Sequence, residues 1–536
     1  MRRLLVFFVV LFAISVPAFS QAKHPFTFDD LMALKRVGEP VPSPDGKWVL
    51  FSAVDVNLAA NTKTPHIWIV PLSTGPVGTG ASPVQAEPSS VGEVPASERI
   101  LIADQDADRP RWAPDGKRFA FVSNKEGGSQ VWIADFEAGT VTYVHKVTAI
   151  ATEAGGELWS PDGKNILFTS DVYPECDGEP FAEQDCNAKK LKETQDSKVK
   201  ALIFDRLLYR HWNAYKAGKR SHIFVVPVDA CVGTGALACP AGAARDLTPG
   251  DYDAPVFSLG GQDNYAFSPD GQEICYASNH DKVEATSTNS DLWIVPVNNV
   301  GRAPSPAEPK DITSDNPAWD GSPLYSPDGK YIAYRSQQRP GYESDRFRLM
   351  LYDRKTGEKK NLTEDFDRWV GTYTWAPDSK KIYFGSENKG QSPIYELNRD
   401  PDTAYREQGV LCNVCARYIR EVIGGFNDDL AVSPDDRTIL FTRVSLGFPN
   451  QIARASTART GCIVDYAPGK FPPFPRYEAA ECELVKADKV ADLNTGTLSQ
   501  VAMSPLESFW FTGANGDKAQ GFLVKPPTST PPRNIL

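Results

Sequence analysis

The fold predicted by this sequence is an all-β, seven-bladed β-propeller carrying one helical insertion, and three observations predict it. A short turn unit recurs seven times. An alternating apolar run follows every copy. The spacing of most copies, roughly 50–70 residues, is that of a four-stranded blade, and a ring of such repeats is a propeller.

The turn unit is a small residue, Pro, Asp, usually Gly and usually Lys. It appears as Ser43-Pro44-Asp45-Gly46-Lys47, Ala113-Pro114-Asp115-Gly116-Lys117 and Ser160-Pro161-Asp162-Gly163-Lys164. It returns as Ser268-Pro269-Asp270-Gly271-Gln272, Ser326-Pro327-Asp328-Gly329-Lys330, Ala376-Pro377-Asp378-Ser379-Lys380 and Ser433-Pro434-Asp435-Asp436-Arg437. Pro presets φ at the first corner, Asp bonds its own backbone two residues on, and Gly accepts positive φ. These aspartates stand too far apart to build a six-oxygen calcium shell, so turn capping is their role.

Each turn leads into a run with period two, such as Trp48-Val49-Leu50-Phe51-Ser52 or Tyr331-Ile332-Ala333-Tyr334-Arg335. That period is a half-buried strand, and it rules out a helical solenoid. A second strand follows in each unit, among them His66-Ile67-Trp68-Ile69-Val70, Gln130-Val131-Trp132-Ile133-Ala134 and His222-Ile223-Phe224-Val225-Val226. Asp291-Leu292-Trp293-Ile294-Val295 continues the series, and Gln451-Ile452-Ala453 is its faintest copy. Trp68, Trp132 and Trp293 belong to the blade core. Several units close on a short strand such as Asp246-Leu247-Thr248, Asp311-Ile312-Thr313 or Asn361-Leu362-Thr363. The first and last blades can share strands to close the ring.

Two stretches depart from the repeat. Residues 75–100 are rich in Pro, Gly, Ser and Ala and read as a loop inside blade 1. Pro161 and Pro269 stand 269 − 161 = 108 residues apart, about twice the usual gap, and a charged, helix-favouring segment at 181–208 lies between them. Residues 181–220 are therefore an insertion in blade 3. A short helix at 28–35 opens the chain, with Thr27 as N-cap and Asp30 three residues on.

Composition bounds the rest. The 536 residues include 43 Pro and 40 Gly, which suits many turns, and the net charge is −11. Such a chain repels a phosphate backbone and offers anionic membranes little grip, so neither nucleic acid nor membrane is an expected partner. Residues 1–22 read as a signal peptide: Arg2 and Arg3, an apolar run at 4–16 too short to span a bilayer, then small residues. Ala18-Phe19-Ser20 and Ser20-Gln21-Ala22 are both cleavage candidates, and no cysteine follows to take a lipid. Export to the periplasm or beyond is expected, with the propeller over 23–500.

Nine cysteines suit an oxidising compartment. Close pairs in irregular stretches predict local disulfides: Cys176 with Cys186, Cys231 with Cys239, Cys412 with Cys415, and Cys462 with Cys482. Cys275 sits in an apolar strand as a buried free thiol. Cys412-Asn-Val-Cys415 has no second CxxC or nearby histidine, so no metal site is assigned.

No catalytic residue can be assigned either. The G-x-S-x-G elbow of a serine hydrolase is missing, and its nearest approach, Val256-Phe257-Ser258-Leu259-Gly260, lacks the first Gly and reads as propeller strand. No HExxH, phosphate-binding or dinucleotide fingerprint occurs, so no cofactor is expected.

Residues 507–527 form a hairpin about an Asn515-Gly516 turn, running out through Gly521-Phe522-Leu523-Val524-Lys525-Pro526-Pro527. With it, the chain resembles the prolyl oligopeptidase family of serine peptidases, where such a hairpin opens the α/β-hydrolase domain. Ser504-Pro505 then belongs to the junction, not to an eighth blade, and 501–536 would be the start of a truncated peptidase domain. Asp205-Arg206-Leu207-Leu208-Tyr209-Arg210-His211-Trp212-Asn213, continuing through Gly218-Lys219-Arg220-Ser221-His222, is similar to a segment of the acylaminoacyl-peptidase and dipeptidyl-peptidase V branch. The opening helix with Arg36-Val37-Gly38 resembles that branch as well.

The resemblance implies an enzyme that removes dipeptides or acylated residues from the N-termini of short peptides, with a homodimer allowed. Its Ser, Asp and His would lie beyond Leu536, so this chain alone is expected to be inactive, its propeller gating access. Tyr209, Arg210, His211 and Trp212 are the substrate-binding candidates. Arg210 could pair a peptide carboxylate and Trp212 line an apolar wall, or the aromatics could pack the insertion onto blade 3. Lys219 and Arg220 read as a solvated turn. The competing function is a non-enzymatic envelope propeller resembling TolB, which needs neither the hairpin nor the insertion.

Overall fold

The protein is described from a computed structural model that covers residues 23–72, 98–177, 180–204, 207–211, 214–228, 244–258, 261–297, 308–399, 419–457 and 484–527. Seven antiparallel sheets form a seven-bladed propeller. Blade 1 pairs Arg36–Val37 and Val41–Pro42 with Trp48–Asn57, then Thr62–Pro71 and Arg99–Ile102. Blades 2 and 3 start at Asp108–Trp112 and Gly155–Trp159. Blades 4, 5, 6 and 7 start at Tyr265–Phe267, Asp320–Tyr325, Tyr373–Trp375 and Phe426–Val432. Each sheet is contiguous in sequence, so among the described residues the first and last blades share no strand, and the strand sharing that the sequence allowed is not used. Arg99 and Ile100, placed by sequence in a loop, begin the outer strand of blade 1.

The repeated turns work as their residues dictate. In all seven, the Asp carboxylate accepts the backbone N–H two residues on, at 2.8–3.2 Å. Where the unit begins with Ser, its hydroxyl donates to the same carboxylate at 2.6 Å. The Ser268 hydroxyl and the Gln272 N–H hold Asp270 below the usual carboxylate range. Gly46 sits at φ +68°, and Ser379 and Asp436 take the same left-handed corner at +60° and +55° in the two turns that lack Gly. The closing Leu-Thr signal has an equally local cause. The hydroxyls of Thr148, Thr248, Thr313 and Thr363 accept the N–H of Val131, Ile223, Leu292 and Leu349 at 2.8–2.9 Å, satisfying a third-strand donor in each of four blades.

The core lies between blades. Seven clusters of buried side chains each join two neighbouring sheets, as Leu50, Ile67 and Ile69 of blade 1 meet Phe119, Phe121 and Trp132 of blade 2. The ring closes where Val49, Phe51 and Val70 meet Leu440, Ile452 and Ala491 of blade 7. Fully burying one such Phe or Leu is worth roughly 1.5–3 kcal/mol, so closure is hydrophobic and needs no shared strand. A parallel pair, His24–Pro25 with Val501–Ala502, ties the two ends outside the blades.

Helix α1 (Phe28–Ala33) has the full capping box: Asp30 N–H donates to Thr27 Oγ1 at 3.2 Å and Thr27 N–H to the Asp30 carboxylate at 2.8 Å. It stops two residues before the predicted end because Leu34 turns extended. Among the described residues of the blade 3 insertion only α2 (Pro180–Asp196) is helical, and residues 197–204 are irregular. No helix among the described residues is long and apolar enough to cross a membrane.

Candidate functional site: the upper face and its axis

Propeller topology sorts the loops by face. Every first-to-second strand turn, hence every Pro-Asp unit, lies on one face, here called lower. Second-to-third loops and the links between blades lie on the upper face. The insertion joins the second and third strands of blade 3 and rises from the upper face. The terminal hairpin, Leu506–Thr512 with Lys518–Val524, lies there too, since the Phe522 ring covers Gly390 in the upper loop of blade 6.

The first strands line the axis, because their contacts skip blades. Arg109 of blade 2 pairs with Asp263 of blade 4 at 2.7 Å and approaches Glu157 of blade 3 at 3.7 Å. Tyr373 N–H of blade 6 donates to Gln262 beside blade 4 at 3.1 Å. Arg111 pairs with Glu39 at 2.5 Å. In four blades the first strand carries a bulge with one left-handed residue: Arg109, Gly156, Ser322 and Asp429. Bulges re-aim side chains, and these turn Arg109 and Asp429 off the regular ladder near the upper mouth. Burial raises the Glu157 carboxyl to about 8 against the pull of Arg109 and Arg111, and neither of its oxygens has a hydrogen bond. Burial, with Asp428 beside it, lifts Asp429 to about 6. The sequence carried no mark of this cluster, because its residues come from different blades.

The insertion is rooted in charge. Arg220, expected in a solvated turn, is instead buried and pairs with Asp251 at 2.9 Å, Asp253 at 3.3 Å and Glu284 at 2.7 Å. Lys216 pairs with Asp253 as well. Two acidic residues of the link to blade 4 and one from the upper loop of that blade thus draw the turn inward. Deeper still, His222 is fully buried, its Nε2 on the Gly250 carbonyl at 2.9 Å and its Nδ1 on Asp246 at 2.6 Å, with Asp177 at 4.0 Å. Asp177, His222 and Asp246 converge as a metal set would. Both ring nitrogens face acceptors, however, which calls for the imidazolium. Burial alone would lower this pKa, but Asp246 and then Asp177 lift it to about 9. The trio is therefore read as an ion-paired anchor. Cys176 and Cys186 are joined in a disulfide that ties α2 to the turn before it.

The sequence-predicted residues sit within the insertion. Tyr209 stacks on Phe204 at 4.2 Å and faces Tyr215 at 6.4 Å. His211 stacks on Phe257 at 4.3 Å, with ring planes 2° apart. Arg210 is exposed on the short hairpin Arg210–His211 with Ala214–Tyr215. Trp212 lies outside the described residues, as do the pairs Cys231/Cys239, Cys412/Cys415 and Cys462/Cys482. The described aromatics thus pack among themselves and on Phe257. Residues 256–258 form a loop, not the strand expected. Cys275 is a buried free thiol.

No family model matches the chain. Dipeptidyl-peptidase 5 of Porphyromonas gingivalis is 29% identical over 331 residues, covering 61% of this chain and 41% of that protein. Dipeptidyl-peptidase 5 of Trichophyton schoenleinii is 25% identical over 349 residues, 61% of this chain and 42% of that protein. Among solved structures, Pyrococcus horikoshii acylaminoacyl peptidase matches with a TM-score of 0.59 at 14% identity, over 92% of this chain and 58% of that one. A puromycin-hydrolyzing peptidase of Mycobacterium tuberculosis matches with a TM-score of 0.53 at 12% identity, over 94% and 60%. The aligned region spans about two fifths of the curated relatives' length. With seven contiguous blades and these relatives, the chain is similar to the propeller portion of prolyl oligopeptidase-family peptidases.

Proposed function

We propose that the chain serves as the gating propeller of an exported serine exopeptidase, one that removes dipeptides or acylated residues from the N-termini of short peptides. The domain limits we assign are a signal peptide at 1–22, the propeller at 23–500 with its insertion at 181–220, and the opening of a hydrolase domain from 501. One observation carries the reading. The terminal hairpin stands on the upper face with apolar side chains exposed on both of its own faces: Phe509, Trp510, Phe511, Leu523 and Val524 are each 45–53% exposed. A two-stranded hairpin is marginal alone, and one so apolar calls for a larger sheet to join. A catalytic domain built on that hairpin would lie over the axial mouth, so peptides would meet the Arg109, Glu157 and Asp263 cluster and the insertion before reaching it. Chain width at the mouth would then limit substrates to short peptides.

The test is to read the gene past the Leu536 codon, express the continuous frame, and assay it on dipeptidyl and acyl-aminoacyl chromogenic amides. A G-x-S-x-G serine whose replacement by Ala abolishes hydrolysis is the expected result. A stop codon at that point, or a product inert on both substrate classes, overturns it in favour of a binding propeller.

A further inference from the structure

The fifth residue after each turn unit occupies one equivalent place on the second strand of each blade. Six of the seven are small or neutral: Ser52, Val122, Thr169, Ala277, Gly385 and Thr442. The seventh is Arg335 of blade 5, in the strand Tyr331–Ser336. Its register partner on the first strand is Gly321, which has no side chain to meet it. A Cβ at Gly321 would lie 2.3 Å from the Trp319 ring, so this glycine makes room for the tryptophan beside the arginine.

The guanidinium of Arg335 stands over the Phe347 ring at 4.1 Å and near the Trp319 ring at 5.9 Å. Trp319 meets Phe347 edge-on at 5.1 Å, and Trp369 meets Phe347 at 90° and 5.2 Å. Trp369 is 45% exposed, so the cluster opens outward. It opens on the upper face, since Trp319 and Trp369 lie in links between blades and Phe347 in a second-to-third loop. Arg109 and Arg111 of the axial cluster each have a carboxylate in contact. The Arg335 side chain has no hydrogen bond and no ion pair among the described residues, and its Nε is sealed without a partner. Burial pushes its pKa down to about 10, and the nearby Asp428 carboxylate opposes this only through space. A half-buried cation that lacks an anion is costly unless one arrives.

We propose that Arg335 is a carboxylate-binding residue of the upper face, taking the carboxylate of a short peptide in its planar fork while Trp319, Phe347 and Trp369 flank it. Arginine is suited to this because the guanidinium matches a carboxylate bidentately and its face stacks on aromatics at the same time. The choice of a peptide as ligand rests on the exopeptidase reading above. For such an enzyme, a site that holds the far end of the peptide would favour short substrates with a free C-terminus.

The test is calorimetric titration of the full chain with three probes: tetra-alanine as the free acid, its C-terminal amide, and an amidated tetrapeptide ending in Glu. The wild-type chain is expected to bind the acid roughly 10- to 100-fold more tightly than the amide, the range of a charge-assisted hydrogen-bonded pair. The Glu-ending amide separates the sources: rescue by it assigns any peptide carboxylate, and no rescue assigns the α-carboxylate alone. Arg335→Gln should erase the preference, and Arg335→Lys, which keeps charge without the fork, should retain only part of it. The acid-against-amide comparison needs no variant and so survives a folding defect. Equal binding of acid and amide overturns the proposal while leaving the peptidase reading intact. Failure of every peptide to bind overturns the proposal too, and the peptidase reading is decided separately by the frame past Leu536.

Discussion

Asn494 brackets the backbone of Lys35 with both ends of its amide. Its Oδ1 accepts the Lys35 N–H at 2.8 Å, and its Nδ2 donates to the Lys35 carbonyl at 3.0 Å. The two residues are 459 apart in sequence, one just after α1 and the other just past blade 7. Since the blades share no strand, this amide is the polar counterpart of the hydrophobic closure between Phe51 and Ile452. It stands in for a backbone pair that other ring closures would supply.

Replacing Asn494 should therefore open the ring where it is weakest. Asn494→Ala leaves two backbone groups without partners in a buried place and should cost roughly 1–3 kcal/mol. Asn494→Asp keeps the acceptor and loses the donor, so it should fall between the two. Thermal denaturation of the three chains checks the order, and equal midpoints would show that the apolar contact closes the ring by itself.

The blade pattern was legible because its causes are local. Pro44, Asp45 and Gly46 make their turn within five residues, and Thr248 caps a strand of its own blade. The same locality explains why Thr27 was readable as a cap. The axial cluster was not legible, since Arg109 finds its partners 48 and 154 residues away. Arg220 misled for a related reason: Lys219-Arg220 after Gly218 looks like a solvated turn until Asp253 and Glu284 are brought under it. Arg335 was visible in the repeat all along, but only the structure shows that its neighbours are rings and not carboxylates.

The Cys176–Cys186 bond closes a loop of sequence separation 10 at the root of the insertion. Closing so short a loop stabilises by about 2–3 kcal/mol, and the effect should remain local because Arg220 and the blade 3 strands lie beyond it. Reduction, or Cys176→Ser, should leave the global melting midpoint nearly unchanged and increase proteolytic nicking within 180–204. Mass mapping of the first fragments checks this, and a large fall in midpoint would show instead that the insertion and the ring unfold together.

Glu157 should limit stability at alkaline pH. Its folded pKa, raised by burial from 4.5 to about 8, means that the folded state holds the proton more tightly. Stability is then lost as pH rises from about 4.5 through 8. Glu157→Gln removes the charge while Asp263 still pairs with Arg109 at 2.7 Å. The variant should melt a few degrees above wild type at pH 8 and close to it at pH 5. A variant that melts lower at pH 8 would show that the 3.7 Å approach to Arg109 outweighs burial.

His222 has a ready-made control in its own repeat. The equivalent residue of blade 2 is Gln130, whose Nε2 donates to the Ile150 carbonyl at 2.8 Å, as His222 Nε2 does to Gly250. Ile150 and Gly250 each stand two residues past the capping threonine, so the two blades solve one backbone problem with different side chains. His222→Gln should fold for that reason. What it removes is the proton. A histidine raised from 6.5 to about 9 stabilises fully below about pH 6.5, and that contribution disappears as pH rises through 9, to an upper bound of about 3 kcal/mol. The wild-type melting midpoint should fall across that window, and the His222→Gln midpoint should stay flatter. Asp177, raised to about 6 by burial first, titrates in a lower window and does not confuse the comparison. If the two chains lose stability in parallel between pH 6.5 and 9, the proton on His222 is not what anchors the insertion.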